Sequence, residues 1–350
     1  MKKKRIESER FDQDDLISRL ELVFEEPVSL IECNLLKGDA SDRNYYRANF
    51  NLKSSPGIKK SIVIMQLAKL EKNPDFNCMQ KFLKTMNIPV PEVFHFDQEL
   101  GLLFLMDCGD IHLADKLAEE PEKSIDWYQR AIEIIVAFHT NVTENMTADC
   151  PAHGLFFDEE KLMWEMDFML RHYVGGLLMN ALEPDKQKKT RLALLTLCRE
   201  LSKQDRFFTH RDYHSRNIMI QNDKLTVIDF QDARMGPCQY DLVSLLKDSY
   251  IILEESIREE LIEFYLNRME QNGKKIIRGP FYKIFDWMSV QRNLKAIGTF
   301  AYQHGTLGND RYLQYIDPTL NYVRHTLSKR RDLEFLIPTL NSAIPTLNAN

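Results

Sequence analysis

The chain has 350 residues, 44% of them apolar, and a formal net charge of -6. That apolar fraction excludes a disordered chain, and the acidic balance argues against a nucleic-acid binder. No apolar run approaches the ~18 residues that a membrane span needs, so no membrane partner is expected. The length favours two domains. The six cysteines, Cys33, Cys78, Cys108, Cys150, Cys198 and Cys238, contain no C-x-x-C pair, which leaves no zinc or redox motif and suggests reduced thiols in a cytoplasmic protein. The N-terminal M-K-K-K-R is followed by no apolar stretch, so a frayed terminus is expected rather than a signal peptide.

In chain order, residues 11–24 place Leu16, Leu20, Val23 and Phe24 at helical spacing. From Ile31 the texture turns to short apolar or alternating runs: Ile31–Leu36, Tyr45–Phe50, Ser61–Leu67, Val90–Phe96 and Leu102–Met106. Turn-forming segments punctuate them, and they read as an antiparallel sheet. One helix interrupts the sheet, with Phe76, Met79, Phe82, Leu83 and Met86 on one face. After Gly109 the pattern is helical: the Trp127–Phe138 stripe, then Leu162–Leu178, Arg191–Leu201, Asp241–Tyr250, Ile257–Met269 and Phe281–Phe300. A hairpin, Ile218–Gln221 and Leu225–Ile228 around N-D-K, sits among them. The fold class is α+β: a small antiparallel-sheet lobe over residues 1–106, a hinge at 107–110 and a helical lobe over 111–330. Residues 331–350, with two of three P-T-L-N copies, read as a solvated tail.

The chemistry concentrates in T-H-R-D-Y-H-S-R-N-I-M-I, residues 209–220, and L-T-V-I-D-F-Q-D-A, residues 225–233. The hairpin between Asn217 and Asp229 can bring these two side chains together as a hard-oxygen site for Mg²⁺. Asp212, just before the hairpin, can reach a hydroxyl facing a metal-bound phosphate, the arrangement phosphoryl transfer needs. Asp212 is therefore the candidate catalytic base, and Asn217 and Asp229 are the candidate metal ligands. His210 is expected to bond the loop backbone, and Asp241 to brace the loop.

H-x-D-x-x-x-x-N followed by I-D-F resembles the aminoglycoside phosphotransferase and choline kinase group, a branch of the protein-kinase-like fold. The wider set G-D-A-S-D-R-N-Y-Y-R, L-M-D-C-G-D, D-F-Q-D-A-R-M-G-P, Y-D-L-V-S-L-L-K-D and V-Q-R-N-L-K-A-I-G covers nearly the whole chain. It resembles the bacterial anomeric N-acetylmuramate/N-acetylglucosamine kinases of peptidoglycan recycling. The resemblance implies ATP and Mg²⁺ as cofactors, an amino sugar as small-molecule partner, transfer to the anomeric hydroxyl, and a chain that can act as a monomer. It places Gly38, Ala40 and Ser41 in a phosphate loop, where small residues let backbone N–H groups approach. It also sets Met106 and Cys108 beside the adenine edge.

Two features depart from protein kinases. The third strand, S-I-V-I-M-Q-L, lacks the phosphate-binding lysine, and Arg43 or Arg47 is the expected substitute. Gln231 replaces the glycine of D-F-G. Candidates for substrate contact are His214, Arg216, Gln231, Asp232, Arg234 and Glu165, with Arg292 as partner for a lactyl carboxylate. Trp164 and Gln291 are candidates for the pocket wall. Another small alcohol, such as an aminoglycoside or choline, is the alternative acceptor. A non-catalytic nucleotide-binding module is the alternative of another class.

Overall fold

The computed structural model describes residues 13–36 and 43–348. Gly38, Ala40 and Ser41 lie outside them. The chain separates into two compact units. One runs to Lys81 and resumes over Val90–Gly109; the other comprises Phe82–Pro89 and everything from Asp110 onward.

The first unit contains α1 (Gln13–Phe24), β1 (Val28–Leu36), β2 (Asn44–Leu52), β3 (Lys59–Gln66), most of α2 (Asp75–Thr85), β4 (Val93–Asp97) and β5 (Leu102–Met106). The strands form one antiparallel sheet in the order β1-β2-β3-β5-β4. Alternation in N-Y-Y-R-A-N-F-N-L turns Tyr46, Ala48, Phe50 and Leu52 to one face. There they meet Ile62, Ile64, Leu102 and Phe104 from neighbouring strands and Leu16 and Leu20 of α1. This is the expected sheet, with β1 and β2 extended by a few residues beyond the predicted runs.

The second unit holds α3 (Leu113–Glu119), α4 (Ser124–Ala137), α5 (Glu159–Met169), α6 (Pro184–Ser202), β6 (Phe207–Thr209), β7 (Ile218–Gln221), β8 (Lys224–Val227), β9 (Arg234–Gly236), α7 (Gln239–Leu246), α8 (Glu255–Gln271), α9 (Arg278–Gly305), α10 (Ile316–Lys329) and α11 (Ile337–Ala343). β7 and β8 form the predicted hairpin, and Asn222 and Asp223 both take positive φ at its two-residue turn. The unpredicted pair β6 and β9 brackets the loop–hairpin segment.

The long helix α9 packs against α5, α7 and α10. Its Gly298 sits where a Cβ would come within 2.7 Å of Met169 Cα, so glycine lets α9 lie against the end of α5. Phe281, Phe285, Met288, Leu294, Ile297 and Ala301 are buried along it. Among the described residues, no helix is long and apolar enough to cross a membrane.

The solvated-tail expectation is corrected. Residues 331–348 fold as two 3₁₀ turns around α11. Leu333, Leu336, Leu340, Ile344 and Leu347 are buried. Asn180 donates to the carbonyls of Ser342 and Ala343, both at 3.0 Å, and α11 packs on α6.

Candidate active site

The segment from His210 to Asn217 is an irregular loop whose backbone is held by buried side chains. Asp241, fully buried on α7, accepts from the N–H groups of His210 at 2.6 Å and Arg211 at 3.0 Å. Burial pushes its carboxyl up to about 7, against the pull of those two donors. Asp248 accepts from Ser215 N at 2.9 Å and Ser215 Oγ at 2.5 Å. Tyr213 reaches from the loop to the Ala131 carbonyl at 2.9 Å. His210 Nε2 lies 3.0 Å from the Ile228 carbonyl, the backbone bond expected of it. These braces hold Arg211 at φ +84 and Asp229 at φ +65. Such conformations persist in non-glycine residues only where the surroundings over-determine them, as at functional sites.

Asp212, Asn217 and Asp229 come together. The Asn217 amide nitrogen lies 2.9 Å from the Asp212 carbonyl, 3.4 Å from Asp229 Oδ2 and 3.5 Å from His214 Nε2. Gln231 Nε2 donates to Asp229 Oδ1 at 2.8 Å. The Asn217 amide oxygen and the Asp229 carboxylate oxygens are of the hard-oxygen kind that Mg²⁺ takes as ligands. Among the described residues no group of three or more His, Cys, Asp or Glu side chains could hold a metal. One carboxylate and one amide oxygen fit Mg²⁺ carried in on phosphate oxygens, which needs only one or two protein ligands.

Asp212 keeps 27% of its side chain exposed and meets Lys295 of α9, with Nζ 2.5 Å from Oδ1. Burial acts to raise its carboxyl, but the Lys295 and Arg211 charges outweigh burial and hold it well below the usual carboxylate range. It is an ionised acceptor.

The remaining candidates divide. Asp232 and Glu165 meet the loop through Arg211, whose Nη1 lies 3.3 Å from Asp232 and Nε 3.7 Å from Glu165, and Gln231 meets Asp229. Glu165 is buried and accepts from Gln291 at 3.0 Å, yet its Oε1 makes no hydrogen bond. Asp232 is 61% exposed. Arg234, half-buried on β9, has a buried Nε with no hydrogen bond. Burial first, then the Arg211 charge, lowers its proton affinity. Lys161 of α5, absent from the expected set, is pushed down to about 8 by burial and by Arg211. Trp164, beside it, is exposed. His214 is pushed down to about 3 by burial and then by Arg292, so it is neutral.

Arg216 and Arg292 serve the fold instead. Arg216 donates to Tyr315 OH at 2.6 Å and stacks on Tyr250, 4.0 Å from the ring centre. Arg292 is 3% exposed and donates to Ser244 Oγ at 3.0 Å, so its proposed place beside a lactyl carboxylate is withdrawn.

In the sheet unit, Arg47 pairs with the turn that follows β5. It grips Asp107 through Nε at 2.8 Å and Nη2 at 2.9 Å, and the Gly109 carbonyl at 3.1 Å. Asp107 also receives Gly109 N at 3.0 Å, at a turn where Gly109 has φ +79. Met106 is the last residue of β5, half-buried, and Cys108 is buried beside it, its thiol pushed up to about 12 by burial and Asp107. Arg43 stands half-buried just ahead of β2. Met65, near the position of the absent lysine, is buried.

Lys295 is the principal residue that sequence reasoning missed, although V-Q-R-N-L-K had been singled out as a segment. Its 83-residue separation from Asp212 hides the pairing.

A loop carrying an ionised aspartate, with an asparagine and a second aspartate across a hairpin, is the arrangement that phosphoryl transfer in a protein-kinase-like fold needs. The profile of the phosphotransferase enzyme family matches residues 32–275, and the chain belongs to that family. It is 30% identical over 294 residues to an N-acetylmuramate/N-acetylglucosamine kinase of Neisseria meningitidis serogroup B, covering 82% of this chain and 83% of that one. A protein of the same name from Pseudomonas aeruginosa is 28% identical over 300 residues, covering 85% and 83%. Among solved structures, a Plasmodium vivax ethanolamine kinase superposes with a TM-score of 0.58 at 12% identity, over 85% of this chain and 84% of that one. An ADP-bound aminoglycoside phosphotransferase does so with 0.55 at 13%, over 93% and 99%. These two likenesses concern the fold.

Proposed function

We propose that this chain is an ATP-dependent amino-sugar kinase that transfers the γ-phosphoryl group to the anomeric hydroxyl of N-acetylmuramate or N-acetylglucosamine, in cytoplasmic peptidoglycan recycling. The names of the relatives support the acceptor. The observation that carries the chemistry is the Asn217 amide tying the Asp212 backbone to the Asp229 carboxylate.

In this reading Asp212 Oδ2 accepts the hydrogen bond of the acceptor hydroxyl. The acceptor oxygen bonds to the γ-phosphorus as the bond from that phosphorus to the β,γ-bridging oxygen breaks. ADP leaves with that electron pair, and the acceptor proton passes to Asp212. An anomeric hydroxyl is more acidic than an ordinary alcohol. A weakly basic carboxylate, which the Lys295 and Arg211 charges make of Asp212, therefore suffices to take the proton late. Asn217 and Asp229 would hold Mg²⁺, which when bound neutralises phosphate charge. Gln231, Glu165 and Arg234, each with a buried polar atom that makes no hydrogen bond, and the exposed carboxylate of Asp232 line the acceptor side, suited to sugar hydroxyls. The turn at Met106–Gly109 presents backbone to adenine.

The test is mass spectrometry of products after incubation with ATP, Mg²⁺ and each sugar. A sugar 1-phosphate, lost when the anomeric hydroxyl is blocked as the methyl glycoside, is expected. Phosphorylation of choline or an aminoglycoside with neither sugar turned over would overturn the reading.

A further inference from the structure

We propose that Lys295 is a positioning residue that fixes the Asp212 carboxylate through Oδ1 and leaves Oδ2 for the acceptor hydroxyl. The inference rests on the reading of Asp212 as the base and adds a residue to it.

The helix that carries Lys295 is anchored on both sides of it. One turn earlier, Gln291 donates to Glu165 and Arg292 to Ser244, all four side chains deeply buried. Three residues later, Gly298 lies against Met169 with no room for a side chain. Positions 291, 292, 295 and 298 share one helix face, so the backbone under Lys295 is set against the loop's surroundings.

The side chain is 12% exposed and ends 2.5 Å from Asp212 Oδ1. The other oxygen is treated differently. Arg211 Nε stands 4.0 Å from Oδ2, beyond hydrogen-bond reach, and the guanidinium turns to Asp232 and Glu165 instead. Among the described residues, Oδ2 makes no hydrogen bond.

A carboxylate free to rotate about its Cβ–Cγ bond presents either oxygen at many angles. Anchoring Oδ1 fixes the carboxylate plane and hence the direction of Oδ2. The Asn217 bond to the Asp212 carbonyl fixes the backbone beneath. In this role Lys295 places the carboxylate and takes no part in moving the acceptor proton.

The experiment uses the full chain with ATP, Mg²⁺ and N-acetylglucosamine. Lys295→Met keeps the length and removes the charge. It should lower kcat by about 30- to 100-fold, the scale of a displaced catalytic group. The KM for ATP should stay within about twofold and the melting temperature near that of the parent, since methionine keeps the packing of the lysine stem. Methylammonium should restore part of the activity of Lys295→Ala but none of Lys295→Met, whose side chain fills the place. Lys295→Arg should retain more activity than either. In Asp212→Asn, adding Lys295→Met should cost little more, because the two act as one unit.

Lys295→Met turning over within about threefold of the parent, beside an inactive Asp212→Asn, would overturn the Lys295 role and leave Asp212 standing. Full activity in Asp212→Asn would remove the reading beneath it. A lowered melting temperature in Lys295→Ala with no amine rescue would make the lysine a packing residue and also overturn the proposal.

Discussion

The sheet unit and the helical unit place their charges in opposite ways. In the sheet unit one ion pair, Arg47 with Asp107, holds a single turn, and a buried methionine, Met65, stands near the strand position of a kinase lysine. In the helical unit, buried charges are layered around a single loop. Asp241 and Asp248 hold its backbone, Lys295 and Arg211 face the Asp212 carboxylate, and Arg292 is bonded to Ser244 of α7. The first arrangement shapes a backbone surface. The second holds a carboxylate ionised and aimed. The contrast predicts that damage to the loop's braces lowers turnover and stability together, whereas damage at the turn alters affinity alone.

The largest test removes a brace. Asp241→Ala leaves the N–H groups of His210 and Arg211 buried without acceptors and releases the strained φ of Arg211. Each unsatisfied donor costs roughly 1–3 kcal/mol, so a loss of about 3 kcal/mol in urea unfolding is expected. A fall in kcat of about 100-fold should accompany it, since a loop shifted by an ångström misplaces Asp212. A stable variant with normal turnover would show that the loop does not depend on α7.

The next test concerns packing far from the loop. Leu340→Ala in α11 should cost about 3 kcal/mol, as for other buried leucines, and leave kcat unchanged below the new melting point. A silent substitution there would restore the solvated-tail expectation.

That expectation failed for a physical reason. The prolines of P-T-L-N suggested loop, but Pro338 stands in the first turn of α11, where a proline has no N–H to lose. Leu333, Leu336, Leu340, Ile344 and Leu347 recur at three- or four-residue intervals, a buried face that the turn-forming residues between them obscured. The loop and hairpin were legible because Asp212, Asn217 and Asp229 lie within 18 residues and a two-residue turn fixes their meeting. β6 and β9 were not, because three-residue strands show no period. Neither were Lys295 and the final orientation of Arg292. A helix as thoroughly buried as α9 carries polar residues on its core-facing side, and the sequence does not say which of them faces a functional group.

Acid gives a third and smaller effect, confined to the helical unit. His139 is fully buried, with Nδ1 2.9 Å from Tyr265 OH, and burial pushes it down to about 3. The unfolded chain takes up this proton near pH 6.5 and the folded chain does not. Stability is therefore complete above pH 6.5 and declines as pH falls towards 3, by about 2 kcal/mol at pH 5 from this residue alone. Urea unfolding at pH 7.5 and pH 5 should show the decline, and His139→Phe should remove that share of it. An unchanged pH response in His139→Phe would mean that His139 gains its proton while folded.

The smallest effect falls on the sheet unit and separates two roles for Arg47. If its guanidinium orders the turn that ends β5, Arg47→Met frees Asp107 and the Gly109 carbonyl but removes nothing from the reacting phosphate. The bonds lost are charge-assisted, and part of their strength should appear as a poorer adenine surface. An increase of about tenfold in the KM for ATP is expected, equal to about 1.4 kcal/mol, with kcat within a factor of about two. An arginine on the phosphates gives the reverse pattern, because charge that develops in transfer is stabilised mostly in the transition state and kcat would fall far more than KM rises. Steady-state kinetics over a range of ATP concentrations distinguishes the two. A dominant kcat effect would break the contrast between the units, placing transition-state charge on the sheet side as well as around the Asp212 loop.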